Sequence, residues 1–177
     1  RCCCIKLKLI ETQMIKKLNP LLLMAMLLFI STTVFSAGFP PPDKVQEAFQ
    51  KMYPKVSTVD WERKGDYHIA DIRVKGRELN VWFSDKGKWL MTETDVESLE
   101  AVPPVVAKAF MQSTMASMQL EDVRIITFPK QPAVIIIEVE EYDTDSEFQL
   151  FYSPDGKLLQ TLNVSETGGE IYPGLFK

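Results

Sequence analysis

A hairpin pattern that occurs twice constrains the fold more than any other feature of the sequence. Residues 81–90 read VWFSDKGKWL and residues 150–159 read LFYSPDGKLL, 69 positions apart. In both, an aromatic strand leads into a serine-led four-residue turn that ends in glycine. Such a turn suits type I geometry followed by a left-handed residue, which glycine adopts without a steric cost. We therefore interpret Gly87 and Gly156 as backbone geometry rather than as a ligand-binding loop.

The same order of elements precedes each hairpin. The segment that begins at Asp43, a plausible N-cap, has apolar residues at helical spacing up to Pro54, and the segment that begins at Pro103 has the same spacing. After each helix the apolar period changes to two, which predicts four strands. The sequence therefore predicts an α+β fold, a tandem repeat of a helix plus a four-stranded antiparallel sheet, over residues 41–97 and 101–164. Residues 165–177 are expected to form a C-terminal tail.

The first 36 residues are expected not to belong to the folded domain. From Met14 onward, two lysines, an apolar run and small residues near Ser36 and Ala37 are typical of a secretory signal peptide. This predicts a signal peptide over 14–36, cleaved near Ser36–Ala37, and a periplasmic or secreted protein with no membrane span after cleavage. An uncleaved anchor is the alternative, but the apolar run is shorter than the ~20 residues that span a bilayer. Residues 1–13, with three adjacent cysteines, are interpreted as an upstream artefact.

The composition of the remaining chain indicates how it is stabilised and which class of partner it does not bind. Residues 37–177 contain no cysteine, so an apolar core rather than a disulfide must stabilise them. They contain 15 basic and 23 acidic residues, a net charge of −8. A surface of that sign repels phosphate backbones, which argues against nucleic-acid binding.

In the first repeat, the pairing register of the central hairpin can be assigned from the sequence. If Lys75-Gly76 is a two-residue turn, His68 lies opposite Phe83 on the core face under the helix. Tyr67, Ile69 and Trp82 then share the opposite face. Phe151 occupies the position of Trp82 in the second repeat.

These off-core side chains are the predicted partner-binding residues: Trp82, Phe151, Tyr67 and Ile69. Large aromatic residues are enriched in binding hot spots. The alternative is that the second sheet or a loop covers them as a second core. The burial of Trp82, Trp89 and Phe151 decides between the two, and the sequence leaves it open.

No residue pattern indicates catalysis. His68 is the single histidine, and residues 37–177 lack cysteine, so nucleophile–base pairs have almost no candidates. No cofactor and no metal site are expected. Asp143, Asp145 and Glu147 alternate like calcium ligands, but the glycine of a calcium loop is missing and a solvated hairpin tip explains them. A calcium-dependent envelope protein and a carrier of a small apolar ligand remain as alternative functions.

The order of motifs resembles a known family. The stretches VQEAFQKMYP, TVDWERKGDYHIADI, LNVWFSDKGKWLMTE, VPPVVAKAF and FQLFYSPDGKLL resemble the PepSY-like proteins of Gram-negative envelopes, also described as β-lactamase-inhibitor-like. The resemblance covers residues 41–164. The second half lacks the W-E and Y-x-I elements at clear positions.

The resemblance implies a tandem α/β repeat whose sheets form one curved surface that grips a partner protein. It also implies an envelope location, the absence of catalysis, and a peptidase or another envelope protein as partner. No inhibitory loop of the family matches this sequence, so no inhibitor contacts are carried over. The resulting hypothesis is a non-catalytic periplasmic or secreted binding module.

Overall fold

Eight antiparallel strands form one sheet in the computed structural model, which describes residues 40–176. The predicted upstream artefact (1–13) and signal peptide (14–36) lie outside the described residues. The elements are, in chain order, α1 (Asp43–Met52), β1 (Asp60–Lys64), β2 (Tyr67–Val74), β3 (Arg77–Ser84), β4 (Trp89–Asp95), a 3₁₀ turn (Leu99–Ala101), α2 (Pro104–Met111), β5 (Gln119–Thr127), β6 (Val134–Glu141), β7 (Ser146–Tyr152), β8 (Leu158–Asn163) and a second 3₁₀ turn (Pro173–Phe176).

The α+β class agrees with the sequence prediction, but the strands are not divided between two four-stranded sheets. The strands follow one another across the sheet in sequence order, and β4 pairs with β5 from Thr92↔Thr127 to Asp95↔Arg124. Separate sheets would leave the edges of β4 and β5 unpaired, which exposes backbone donors and acceptors. Their pairing produces a single sheet with only β1 and β8 as edges.

The register of the central hairpin agrees with the sequence interpretation. β2 and β3 pair from Tyr67↔Ser84 to Val74↔Arg77, with Lys75-Gly76 as the turn. Lys75 and Gly76 both have positive φ, as this kind of two-residue turn requires. The correct turn fixed the side of the sheet on which every side chain of the hairpin lies.

Both helices pack on the same face of the sheet. Val45 and Phe49 of α1 contact a cluster that includes Val81 and Phe83. Val106 and Phe110 of α2 contact the corresponding cluster in the second half, around Ile135, Ile137 and Leu150. The other face carries no α-helix among the described residues and is called the helix-free face below.

The start of α1 differs by one residue from the expectation. Pro42 is the N-cap and Asp43 is the first helical residue, without a side-chain capping bond. The Pro42 carbonyl accepts hydrogen bonds from the amides of Val45 and Gln46. Asp43 still lies where a negative charge favours the helix dipole.

The two repeated hairpin turns have the same geometry. Gly87 N donates to Ser84 O at 2.9 Å and Gly156 N donates to Ser153 O at 2.9 Å, and φ is +75° and +86°. A Cβ on Gly87 would collide with the carbonyl of Lys44, and one on Gly156 would lie 2.9 Å from the carbonyl of Val105. Lys44 and Val105 are the second residues of α1 and α2. Each turn therefore supports the first turn of the helix in its own half.

No helix in residues 40–176 has the length and apolar character that a bilayer crossing demands.

Candidate binding face

An apolar row crosses the helix-free face. Trp82 pairs with Ile69 on one side and Met91 on the other, and Ile136 pairs with Phe151. Because side chains on a strand alternate between faces, these positions form one surface. The apolar row consists of six buried side chains: Ile69, Trp82, Met91, Ile126, Ile136 and Phe151.

The four residues predicted for partner binding lie together in this cluster. Trp82 is 3% exposed and Phe151 is 4% exposed; Ile69 is also buried, and Tyr67 is half-buried. The Tyr67 and Trp82 rings meet edge to face with centroids 5.8 Å apart. Trp89 lies on the other face, because a bulge places it opposite Phe83.

The C-terminal segment covers the apolar row. We call residues 165–176 the cover. Ile171 is buried in the cluster, and Phe176 has its ring centroid 5.0 Å from that of Phe128 and 6.2 Å from that of Phe151. The sequence alternative in which a loop covers the aromatic residues describes this arrangement. A partner would reach Trp82 and Phe151 only after the cover has moved.

Side chains, rather than backbone hydrogen bonds, hold the cover in place. Within residues 40–176, no backbone–backbone hydrogen bond joins 169–176 to a strand. Gln149 Nε2 donates to the carbonyl of Gly169 at 2.6 Å, and Lys64 Nζ lies 3.0 Å from a carboxylate oxygen of Glu170. The cover is therefore tied down at a few points, unlike a ninth strand.

A polar row lies beside the apolar row: Asn80, Glu93, Arg124, Glu138 and Gln149. Arg124 forms an ion pair with Asp122, and its guanidinium lies 3.4 Å from oxygens of both Glu93 and Glu138. Glu138 in turn accepts a hydrogen bond from Gln149 Nε2 at 2.9 Å. One guanidinium is thus shared among three carboxylates.

Glu93 is the least compensated member of the polar row. Burial raises the pKa of its carboxyl to about 7, although the charge of Arg124 acts in the opposite direction. Burial also raises the pKa of Asp95, two residues further along β4. A buried carboxylate that shares its cation favours the neutral form.

A cavity of about 310 Å³ lies between the cover and the part of the polar row formed by Asn80, Glu93 and Arg124. Its lining includes both kinds of charge and one indole: Lys64, Asn80, Trp82, Glu93, Arg124 and Ile171. Lys64 Nζ lies 5.9 Å from the Trp82 ring centroid, within cation–π range. The buried Trp82 Nε1–H has no acceptor among the described residues. The face is therefore polar along one side and aromatic along the other.

The remaining residues considered from sequence lie elsewhere. His68 is buried on the helix-bearing face, where Nε2 lies 2.8 Å from Asp85 Oδ1, in keeping with a structural role. Asp143 and Asp145 lie in the exposed connection between β6 and β7. In the part of the chain that the structure describes, no group of three His, Cys, Asp or Glu side chains is placed to hold a metal ion.

The sequence reasoning missed the polar row, and it did not identify residues 165–176 as the loop that covers the aromatic residues. Gln149, in the middle of the apolar strand FQLFY, was the available signal, because a polar residue inside such a strand needs a partner. Arg124 in VRIIT is a second signal of the same kind. The cover carries a weaker pattern, since GGEIYPGLF has no regular period.

The family model and the similar solved structures indicate the same family. The family model described as putative beta-lactamase-inhibitor-like, PepSY-like matches residues 70–160. No curated protein shows a detectable match.

Three solved structures are similar over most of the chain. A DUF2874 family protein from Bacteroides ovatus is 40% identical, with a TM-score of 0.76, covering 78% of this chain and 99% of that one. A BLIP-like protein from Bacteroides fragilis is 35% identical, with a TM-score of 0.71, covering 77% and 96%. A protein from Bacteroides eggerthii described as putative periplasmic is 30% identical, with a TM-score of 0.70, covering 73% and 94%. The chain belongs to the β-lactamase-inhibitor-like, PepSY-like family.

Proposed function

We propose that this protein is a non-catalytic binding module that engages a protein partner through the helix-free face of its sheet. The central contacts would be Tyr67, Ile69, Trp82 and Phe151. One observation carries the proposal: an apolar row crosses most of the sheet, and an irregular segment without backbone bonds to the strands covers it. Displacing such a cover breaks few hydrogen bonds and frees large apolar side chains, which are the usual anchors of interfaces.

The relatives support a protein partner and an envelope location. The family description and the Bacteroides fragilis relative both refer to a β-lactamase inhibitor. The Bacteroides eggerthii relative is described as periplasmic. Together with the signal peptide expected over 14–36, this supports a periplasmic or secreted protein whose partner is a peptidase or another envelope protein.

The proposed organisation is two repeats, 41–97 and 101–164, followed by the tail 165–177. The support is that the glycine of each repeated turn contacts the second residue of the helix in its own half. This matching contact supports a correspondence between the two halves in space as well as in order. Because the tail covers both halves, the binding face belongs to the pair and not to either repeat alone.

Tethering the cover tests the use of this face. Lys64 and Glu170 are partly exposed and their side chains meet, so Lys64→Cys/Glu170→Cys places two thiols across the cover. Residues 37–177 contain no other cysteine, so a short thiol-reactive cross-linker joins only this pair. The cross-linker contains a disulfide, which reduction cleaves. The tethered protein is titrated against purified β-lactamases and envelope peptidases, before and after reduction.

We expect the tethered form to lose binding and the reduced form to regain it. The matched controls are the two single-cysteine variants capped with the same reagent, which carry the label without the tether. A tethered protein that binds as tightly as the capped controls would show that the partner uses another surface.

A second candidate function is the transport of a small amphipathic ligand. A cavity of about 490 Å³ lies between the turn after β3 and the connection after β5. Its walls are largely apolar and carry two lysines: Lys88, Trp89, Leu90, Phe128, Pro129 and Lys130. Such a site suits an apolar ligand with an acidic group, and its position differs from the expected one between sheet and helices.

Native mass spectrometry of protein purified from its own cells tests this candidate. We expect a bound species that disappears in the Phe128→Asp variant, because a charge in an apolar wall removes the favourable burial. A bare chain in the wild-type sample would argue against a carrier.

A further inference from the structure

The two edges of the sheet differ sharply in charge. The edge strand β1 reads DWERK and carries four charged residues, whereas the edge strand β8 reads LLQTLN and carries none. Charged side chains are a common means of preventing an edge strand from pairing with another chain. β1 has that protection and β8 does not.

The outer side of β8 is unpaired within residues 40–176. β8 pairs with β7, and no other backbone partner is present for it in this part of the chain. Just after β8 the chain stays beside β7, because Val164 N donates to Glu147 O and Glu147 N donates to the Ser165 hydroxyl. Further along, Ile171 is buried against the apolar row. The cover therefore crosses the sheet face instead of running along the outer side of β8.

Apolar side chains are exposed at one end of the same edge. Leu158 and Leu159 are 46% and 51% exposed, and Val105 of α2 is 47% exposed. Val105 lies against Gly156, two residues before Leu158, so the three side chains are at the same end of β8. An uncharged edge with exposed leucines has the composition of a strand that pairs with another strand.

We propose that β8 pairs in an antiparallel manner with β8 of a second copy of this chain, which joins two eight-stranded sheets across a twofold axis. Residues 37–177 carry a net charge of −8, so two copies repel each other over most of their surface. When two copies approach each other through β8, no like charges face each other, because this strand carries no charged residue. This favours a second copy over a charged partner.

The asymmetry of the edges also limits the assembly to two copies. Pairing of β8 with β1 of another copy would leave a free edge at each end and allow open-ended growth. The four charged residues of β1 oppose that contact. Two-fold pairing of β8 consumes both unprotected edges and closes the assembly.

Introduction of charges at the middle of β8 tests the proposal. Gln160 and Thr161 are exposed and lie at the midpoint, where the two copies of β8 come nearest. We expect the wild-type chain to sediment as a dimer at high concentration. Gln160→Lys/Thr161→Lys and Gln160→Glu/Thr161→Glu should each weaken self-association at least about tenfold, because like charges then face each other. An equimolar mixture of the two variants should form the mixed dimer.

The matched control is Glu97→Gln/Glu100→Gln, which changes the net charge by two units at exposed positions away from both edges and should leave the dimer intact. Circular dichroism confirms that the variants fold, since all four sites are exposed. A wild-type chain that stays monomeric up to about 1 mM overturns the proposal. So does a dimer that the β8 variants do not weaken, or an assembly that grows beyond two copies.

Discussion

At the scale of single residues, the polar row contains one guanidinium that lies beside three carboxylates and cannot balance the charge of all three. Arg124 contacts Asp122, Glu93 and Glu138, and Glu93 is the one whose pKa burial raises to about 7. In an unfolded chain the pKa of this group would lie near its ordinary value of 4.5. Between these two values the folded state holds more protons than the unfolded state, so stability must fall as pH rises.

The first prediction concerns this pH dependence. We expect the free energy of unfolding to fall by about 2–3 kcal/mol between pH 5 and pH 8, because Glu93 must ionise in a buried place. In Glu93→Gln most of that slope disappears, and the remainder reflects Asp95, whose pKa burial raises in the same direction. Urea denaturation at the two pH values measures it.

Glu97→Gln is the control, since Glu97 is exposed on the same segment and should keep the wild-type slope. A Glu93→Gln protein with an unchanged slope would contradict the assignment.

The second prediction concerns the repeated turn. Gly76 and Gly87 both have positive φ, but a Cβ on Gly76 meets open space whereas one on Gly87 meets the backbone of Lys44. Gly76→Ala should cost roughly 1–2 kcal/mol for the left-handed conformation alone. Gly87→Ala should cost at least about 1 kcal/mol more, because the start of α1 has to shift. Chemical denaturation compares the two; equal losses would show that the helix contact contributes nothing.

At the scale of elements, the hairpins were predictable and the cover was not. The turn Lys75-Gly76 and the alternation of β2 and β3 determined every pair from Tyr67↔Ser84 to Val74↔Arg77. Turn geometry and period-two alternation depend on residues that are close together in the sequence, so both can be inferred from it. The contact of Ile171 with the apolar row depends on residues far apart in sequence and on irregular backbone, for which no period exists.

For the same reason, the candidate site was only partly predictable. The four aromatic and aliphatic residues were placed on one face correctly, because strand alternation fixes the face. Their burial was not predictable, because it depends on the cover. Glu93 and Arg124 meet across the β4–β5 pairing. The sequence predicted two four-stranded sheets that form one curved surface, without the strand pairing that joins them.

The third prediction is that the cover opens more easily when its apolar anchor is removed. In a Trp61→Phe/Trp89→Phe background, Trp82 is the only tryptophan, and acrylamide quenching reports its access to solvent. Ile171→Ala should increase that quenching at least about twofold, because the loss of buried side-chain volume lowers the free energy of local opening.

Val105→Ala, on the exposed side of α2, is the control and should leave quenching unchanged. If Ile171→Ala leaves Trp82 equally protected, the cover is not what shields it.

At the scale of the whole molecule, the continuous sheet predicts that the two halves unfold together. The pairing of β4 with β5 and the apolar row that crosses it connect the two helix-covered cores. All three tryptophans lie in the first half, so their fluorescence reports that half, while far-UV circular dichroism reports both.

The fourth prediction follows from this arrangement. Fluorescence and circular dichroism should give one common midpoint in urea, as a cooperative domain requires. Ile137→Ala, in the core of the second half, should lower stability by about 2–4 kcal/mol by both probes. If the urea midpoint measured by fluorescence is the same in Ile137→Ala as in the wild-type chain, the two halves unfold independently.

The sequential order of the strands also has a consequence for how the chain matures. Every strand after β1 pairs with its predecessor, so each can join the sheet as soon as it becomes available. The connection from β4 to β5 contains α2, and the other neighbouring strands are joined by shorter turns. The cover follows β8 in the chain, so it becomes available for folding only after the eight strands of the sheet. Each new molecule therefore passes through a stage in which its sheet is whole and its aromatic surface is still bare. During that stage residues 165–176 of the protein itself compete with any other chain for the same surface.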